Sequence, residues 1–121
     1  MKNKPINLAE KFAQFSDHWA PRVIAEMNDY QFKLVKFKGE FVWHNHPETD
    51  EVFIVLEGKM TIKLRQGAVD LEVGEIFVVE KGLDHRPRAD QECKVMLFEP
   101  RGVLNTGDTR GRLTADQDVW I

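Results

Sequence analysis

The chain has 121 residues, of which 42% are hydrophobic and 31% charged, and its formal net charge is −3. This length and composition are typical of one soluble globular domain with enough apolar residues for a core. The slightly acidic balance argues against a nucleic-acid groove, which needs a basic face, and no apolar run approaches the roughly 20 residues that span a bilayer.

The N-terminus and the cysteine content indicate the compartment. The first five residues include two lysines, but no apolar stretch follows them, unlike in a secretory signal peptide. The single cysteine, Cys93, cannot form an internal disulfide and lies in an apolar run. We therefore expect Cys93 to be a core or strand residue of a cytoplasmic protein.

The first predicted element is a short amphipathic helix over residues 8–16, within a helical segment of about 7–19. Asn7 and Glu10 have the spacing of a capping box. Apolar residues then recur at intervals of four, three and four, which places them on one stripe of a helix. These residues are Leu8, Phe12, Phe15 and Trp19.

Between residues 22 and 100 the period of the hydrophobic pattern changes to two, and turn signals divide the segment into many short strands. Three runs, 52–56, 76–79 and 95–98, are apolar on both faces, which predicts strands enclosed on both sides. Such a series of strands predicts an all-β sandwich or barrel. The extension 101–121 is polar, with a predicted tight turn at 105–108, and its apolar end is expected to dock on the barrel.

Three of the four histidines lie in two short segments that suit a metal. His44 and His46, two residues apart, share one face of an extended chain. Glu51 follows five residues later, and His85 comes from a later strand. Three imidazoles and one carboxylate are ligands for a divalent transition metal. The competing carboxylate, Glu48, lies in a turn nearer to solvent.

The spacing of these residues resembles the two sequence motifs of the cupin superfamily. The first motif is Gly39-x4-His44-x-His46-x4-Glu51-x6-Gly58, and the second is Gly74-x7-Gly82-x2-His85. The resemblance covers roughly residues 30–100 and is to the small single-domain microbial cupins described as similar to mannose-6-phosphate isomerase. Three positions depart from the usual pattern, since the first glycine is one residue closer to His44, and Glu80 and Ala89 replace a proline and an asparagine.

The resemblance implies a cupin-type jelly-roll β-barrel that forms a homodimer. One divalent transition metal, Fe, Mn, Ni, Zn or Cu, would lie in the barrel mouth and bind His44, His46, Glu51 and His85. His18, beside Trp19, falls outside this set and is interpreted as a surface or hydrogen-bonded residue.

Residues that could contact a substrate are less specific. Phe53 and Val55 are in phase with Glu51 and are candidates for pocket walls. Arg65, Arg86 and Arg88 could hold an anionic substrate, because a guanidinium binds carboxylate or phosphate bidentately; the alternative is solvated charge. Trp43 is expected to point away from the metal. No catalytic residue is assigned, and the candidates for proton transfer are Tyr30, Glu48, Glu80 and Asp84.

Two main functions compete. One is a metal-dependent enzyme, of dioxygenase, isomerase, decarboxylase or lyase type, that acts on a small oxygen-rich metabolite. The other is a non-catalytic metal or metabolite sensor, and a storage role is a third option. An apolar pocket without a proton-transfer residue would favour the oxygenase or binding hypotheses over the isomerase. The chain is too short for the multi-domain body of a sugar-phosphate isomerase, and the expected partner is a small molecule, not nucleic acid or a membrane.

Overall fold

The computed structural model describes residues 3–121, which form one short helix and seven strands. The helix, α1, spans Leu8–Phe12. The strands are β1 (Arg22–Met27), β2 (Tyr30–Glu40), β3 (Glu51–Glu57), β4 (Lys59–Leu64), β5 (Gly67–Glu72), β6 (Ile76–Val79) and β7 (His85–Pro100).

The 16-residue strand β7 belongs to both layers of the barrel. Its second half pairs antiparallel with β2 and β3, in a layer ordered β1-β2-β7-β3-β6. Its first half pairs with β4, which in turn pairs with β5. A bulge where Phe37 pairs with Cys93 but Gly39 pairs with Ala89 lets β7 pass from one layer to the other. The all-β jelly-roll prediction is therefore confirmed.

The core lies between the two layers. On β3, residues 51, 53 and 55 point inward, in the alternation that a strand with one covered face requires. Cys93 is fully buried in this core, and burial raises the pKa of its thiol to about 11. His18 hydrogen-bonds to Glu92 at 2.8 Å, as expected for a histidine outside the metal cluster.

The predicted helix over 8–16 is too long, because α1 ends at Phe12. The Asn7 side chain caps it by accepting a hydrogen bond from the Glu10 amide. Beyond the helix, Phe15 packs on the outer side of the sheet with Phe12, whereas Trp19 stacks inside the barrel on Phe37. The chain therefore leaves the helix before Phe15 and crosses to the other side of the sheet before Trp19.

The prediction that β6 is enclosed on both faces is wrong. Ile76 and Val78 are 59% and 45% exposed. In the described residues β6 pairs only with β3 at the edge of its layer, and α1 covers the opposite part of the sheet. Periodicity cannot distinguish an apolar edge strand from an internal one.

The extension 101–121 folds back across the barrel. The Gly107 amide donates to the Leu104 carbonyl, which confirms the predicted turn. The end of the chain docks as expected, because Trp120 bridges to Val23 and Ile121 packs beside α1. No helix in residues 3–121 is long and apolar enough to cross a membrane.

Candidate metal centre

The two histidine segments meet through a backbone bridge between His44 and His85. The amide of each residue donates to the carbonyl of the other, at 3.1 and 2.9 Å. His46 follows two residues later, with its imidazole 5.1 Å from that of His44, and Glu51 begins β3. The chain therefore brings together all four residues that the sequence motifs indicate.

The geometry of this cluster is compact enough for one ion. One ligand atom from each of the four residues lies within 4.8 Å of the others. Glu51 Oε1 is 3.2 Å from His46 Nε2 and 3.5 Å from His85 Nε2. Bonds of about 2.1 Å hold neighbouring ligand atoms roughly 3.0 Å apart around an octahedral ion and roughly 3.4 Å apart around a tetrahedral one. The observed separations are close to this range.

Backbone carbonyls orient two of the imidazoles. His44 Nδ1 lies 2.9 Å from the Val42 carbonyl, and His85 Nδ1 lies 2.9 Å from the Leu83 carbonyl. A carbonyl can only accept, so each Nδ1 carries the proton and each Nε2 presents a lone pair. This arrangement is typical of histidines that bind a metal.

Three buried ligand atoms have no hydrogen-bond partner among residues 3–121: His46 Nε2, His85 Nε2 and Glu51 Oε1. The four ligand residues are at most 5% exposed, so water does not readily satisfy these atoms. An unsatisfied buried polar group costs about 1–3 kcal/mol. A metal ion at their common centre would satisfy all three, and the donor set therefore fits a divalent metal.

The protonation states also suit metal binding. Burial, with a further contribution from His85, lowers the pKa of His44 to about 4, so its imidazole is neutral at pH 7. Burial opposes ionisation of Glu51, but the adjacent His46 and His85 imidazoles outweigh it and hold the pKa of this carboxyl well below its usual range. Glu48, the alternative carboxylate, is exposed.

A cavity of about 20 Å³ adjoins His44 and Glu51. One water needs about 10–15 Å³ on this measure, so the cavity has room for one small ligand. Apart from those two ligands, Asn105 is the only lining residue in the described chain with an amide, hydroxyl or charged side chain. The other lining residues are Trp19, Pro21, Val35, Phe37, Phe41, Phe53, Pro87 and Leu97.

Asn105 is not free to contact a ligand. Its Nδ2 donates to the carbonyls of Trp19 and Leu113, and its Oδ1 accepts from the Ala115 amide. Asn105 therefore holds the C-terminal extension against the barrel. The cavity wall itself is apolar.

Of the predicted pocket residues, only Phe53 lines the cavity. Val55 is fully buried deeper in the core. Arg65 stacks on Trp43, with its guanidinium 3.9 Å from the ring centroid, and Arg86 donates to the Phe41 carbonyl. Because residues alternate along β7, Arg86 points away from the side that carries His85.

The remaining candidates also lie outside the cavity wall. Arg88 pairs with Asp90, and Asp84 accepts a hydrogen bond from Asn45 Nδ2 at 2.8 Å. Glu80 is exposed, and Tyr30 stacks on a phenylalanine at the far end of β2. The structure places none of the proposed proton-transfer residues against the cavity.

Sequence reasoning missed a group of charged and polar side chains inside the barrel. Gln31, Lys33 and Glu99 are at most 2% exposed, and Lys33 Nζ lies 2.7 Å from Glu99 Oε2. The signal was the alternation on β2, where Gln31 and Lys33 separate apolar residues. That alternation does not reveal which of the two faces points inward.

The contact between the C-terminal extension and the first motif was also missed. Asn45 and Asp108 are joined by two hydrogen bonds, from the Asp108 amide to the Asn45 carbonyl and from the Asn45 amide to Asp108 Oδ1. Gly107 approaches so closely that an added Cβ would lie 2.1 Å from the Asn45 oxygen and 3.1 Å from His46 Nδ1. The extension thus supports the loop that carries His46.

The fold and this cluster are those of a cupin. The cupin domain family model matches residues 33–99, more than half of the chain, and the chain belongs to this family.

Three relatives illustrate the similarity. The chain is 43% identical over 82 residues to the uncharacterized protein YdbB of Bacillus subtilis strain 168, across 66% of each chain, so it spans just under two thirds of that relative. A cupin-2 domain containing protein from Shewanella frigidimarina is 59% identical, with a TM-score of 0.78 over 79% of this chain and 94% of the other. Protein NMB1881 from Neisseria meningitidis is 34% identical, with a TM-score of 0.74 over 80% and 99%.

Proposed function

We propose that this cupin binds one divalent transition metal through His44, His46, Glu51 and His85 and acts as a metal-dependent enzyme of dioxygenase type on a small oxygen-rich metabolite. The observation that carries the proposal is the set of three buried, unpartnered ligand atoms that face one another within a four-residue cluster. Imidazole and carboxylate ligands suit Fe, Mn, Ni, Cu and Zn, of which the first four can support oxygen chemistry.

The chain's own residues have separate roles in this proposal. The bound metal would act as a Lewis acid and a template for a ligand on its open side. His44 and His85, fixed by backbone carbonyls, turn their Nε2 atoms toward the centre of the cluster. Phe53 and its apolar neighbours enclose the space beside Glu51.

The apolar cavity favours oxygenase chemistry over an isomerase. An isomerase of this kind must move a proton on its substrate, and the described cavity wall offers no side chain for that task beyond the ligands themselves. A hydroquinone 1,2-dioxygenase, PnpCD, has the same fold at 19% identity and a TM-score of 0.67. That likeness concerns the fold alone. The similarity to mannose-6-phosphate isomerase stays a prediction.

The small cavity supports a second candidate, a non-catalytic metal or small-ligand sensor. With ligands at most 5% exposed, the site as observed admits a molecule the size of water or dioxygen. A metabolite would need movement of the extension that closes the barrel. Turnover of any substrate distinguishes the enzyme from the sensor.

Metal content is the first test. Protein purified without chelator should contain one divalent transition metal per chain by inductively coupled plasma mass spectrometry. His46→Ala should lose that metal, whereas His18→Ala, which removes a half-buried histidine outside the cluster, should retain it. If the native chain holds no metal and binds none on addition, the proposal fails.

Oxygen uptake then tests the reaction class. The metal-loaded chain should consume oxygen with one of a panel of catechols, diketones and thiols, and the His46→Ala variant should not. Metal binding without oxygen uptake or any other turnover would favour the sensor.

We also propose that two copies of the chain associate through the outer face of β3 and β6, in the cytoplasm that the single buried cysteine suits. Val52 pairs with Val78 and Ile54 with Ile76, so these four side chains form one uncharged apolar patch, the β3–β6 patch. β6 is the last strand of its layer, and such an edge is available for a partner. Because the patch carries no charge, two copies with the same net charge can meet there.

Light scattering coupled to size exclusion tests this interface. Wild type should elute as a dimer, Ile76→Lys as a monomer, and Met27→Lys, at the other edge of the sheet and 51% exposed, as a dimer. A dimeric Ile76→Lys variant would rule out the β3–β6 patch.

A further inference from the structure

An aromatic side chain from outside both cupin motifs reaches the metal site. Trp19 belongs to the irregular segment between α1 and β1, and it lines the cavity of about 20 Å³ together with His44 and Glu51. Trp19 is 6% exposed, so its indole fills the interior of the barrel at this point. The four metal ligands do not require an indole there, and its position needs a separate explanation.

The indole occupies a flat space with aromatic walls. Its ring stacks on Phe37, with centroids 4.4 Å apart and planes inclined by 20°, and on Phe41 at 4.7 Å and 16°. Its Nε1 donates to the Lys38 carbonyl at 3.0 Å. Phe41 in turn meets the His44 imidazole edge-on at 5.3 Å. Because stacked aromatic rings attract one another beyond the effect of buried area, this space suits a planar ring beside a metal ligand.

The backbone of Trp19 is strained. Its φ is +65°, in the left-handed region, where a bulky side chain is an outlier. Two hydrogen bonds maintain this conformation, from the Trp19 amide to the Lys36 carbonyl at 2.9 Å and from Asn105 Nδ2 to the Trp19 carbonyl at 2.9 Å. Strained residues cluster at ligand sites and clamps, where the surrounding structure holds them in place. The strain therefore points to a role for the indole beyond filling space.

The size of the cavity depends on this one side chain. With the indole in place, the space beside His44 and Glu51 admits a molecule the size of water or dioxygen. With the indole withdrawn, the same space would gain the volume of a fused pair of rings, enough for one aromatic ring with oxygen substituents. Two adjacent oxygens on that ring could chelate a metal ion. Asn105 joins Trp19 to the C-terminal extension, so movement of the extension would also release the indole.

We propose that Trp19 is a displaceable plug that determines the specificity of the metal site. With its indole in place only water or dioxygen reaches the metal, and the substrate, a planar aromatic ring with two adjacent oxygens, binds in the space that the indole vacates. This inference rests on the proposed metal-binding function. It narrows the substrate class from oxygen-rich metabolites in general to catechol-like compounds.

The test uses Zn²⁺-loaded protein and 4-nitrocatechol, whose visible absorption changes when its two oxygens bind a metal. Trp19→Gly removes the indole and keeps the backbone, because glycine adopts φ +65° without steric cost. This variant should bind 4-nitrocatechol at least about tenfold more tightly than wild type, which must first withdraw an indole stacked on two rings. Trp19→Leu, a smaller side chain, replaces Trp19→Gly if that variant does not fold, and it should bind about threefold or more tightly than wild type.

Phe12→Ala is the matched control, because it also removes a buried aromatic side chain, but on the outer side of the sheet. It should lower stability and leave the affinity for 4-nitrocatechol at the wild-type value.

Tryptophan fluorescence follows the plug itself. In the double variant Trp43→Phe with Trp120→Phe, Trp19 is the only tryptophan left of three. Saturating catechol should shift its emission to longer wavelength in the Zn²⁺-loaded chain, because the indole leaves the barrel for water.

The outcomes separate this inference from the proposed function. If folded Trp19→Gly or Trp19→Leu binds 4-nitrocatechol no more tightly than wild type, the role of Trp19 is overturned while metal binding stands. Binding of catechol with unchanged Trp19 emission would overturn it as well. If wild type binds no Zn²⁺ and no other divalent metal, the proposed function fails, and the plug fails with it.

Discussion

Replacement of Gly107 by alanine should loosen the metal site from the C-terminal side. Gly107 has φ +55°, and an added Cβ would lie 2.1 Å from the Asn45 carbonyl oxygen, a distance at which one of the two segments must move. Movement would break the two hydrogen bonds that join Asn45 and Asp108, at 3.1 and 3.0 Å. It would also release the loop that carries His46.

The cost can be worked from these contacts. A non-glycine residue in the left-handed region costs about 1–2 kcal/mol, and each exposed hydrogen bond contributes about 0.5–1 kcal/mol. We therefore expect Gly107→Ala to lower the free energy of unfolding by about 2–4 kcal/mol. Metal bound to the variant should also pass to an added chelator faster than metal bound to wild type.

Urea denaturation of the metal-free chain measures the free energy of unfolding, and transfer of the bound metal to a chromophoric chelator measures the rate of metal release. Gly111→Ala is the control, because it lies in the same extension and an added Cβ there meets nothing within 4 Å. If Gly107→Ala matches Gly111→Ala to within about 0.5 kcal/mol, a difference typical of surface substitutions, and releases metal at the same rate, the contact between Gly107 and Asn45 has no role in holding His46.

Three further results are expected. The folded-state pKa of His44 is lowered to about 4, so as the pH falls below about 6.5 the unfolded chain binds a proton that the folded chain does not. Metal-free wild type should therefore lose roughly 2 kcal/mol more stability between pH 7 and pH 5 than His44→Gln does. If urea denaturation shows the same pH dependence of the free energy of unfolding for both proteins, the result contradicts this prediction. Cys93, buried with its thiol pKa raised to about 11, should react with a disulfide reagent at pH 8 only after denaturation, and stoichiometric labelling of the native chain would show that the strand opens. Arg86→Ala, which loses contacts to Glu40 and the Phe41 carbonyl, should cost about 1 kcal/mol in urea denaturation without a change in metal affinity; a fall in affinity would mean that Arg86 contributes to the metal site.

The four candidate metal ligands could be predicted because the information is mostly local. Glu51 was distinguishable from Glu48 because it is in phase with the apolar residues of β3. Strand periodicity also predicted the all-β barrel, since alternation of apolar residues reports that one face of each strand is covered. The turn at 105–108 followed from residue types that favour tight turns.

Other features depended on what packs against each segment, which a single sequence does not state. The exposed face of β6 was missed because an apolar strand has the same sequence pattern at the edge of a sheet as in its middle. The helix was overestimated because its apolar spacing continues through Phe15 and Trp19, although both residues lie beyond α1 and pack on opposite sides of one layer. Val55 was placed in the pocket because phase determines the face of a strand but not the depth along it.

The sequence by itself determined the strand pattern, the family motifs and the four residues that meet at the candidate metal centre, since each follows from spacing along the chain. Only the tertiary structure decided that Lys33 and Glu99 lie inside the barrel behind Glu51 and that Gly107 closes against Asn45. The physical reason is that residues far apart in the chain make these contacts. A strand with alternating polar and apolar residues has two faces, and the face against which the other layer packs becomes the interior.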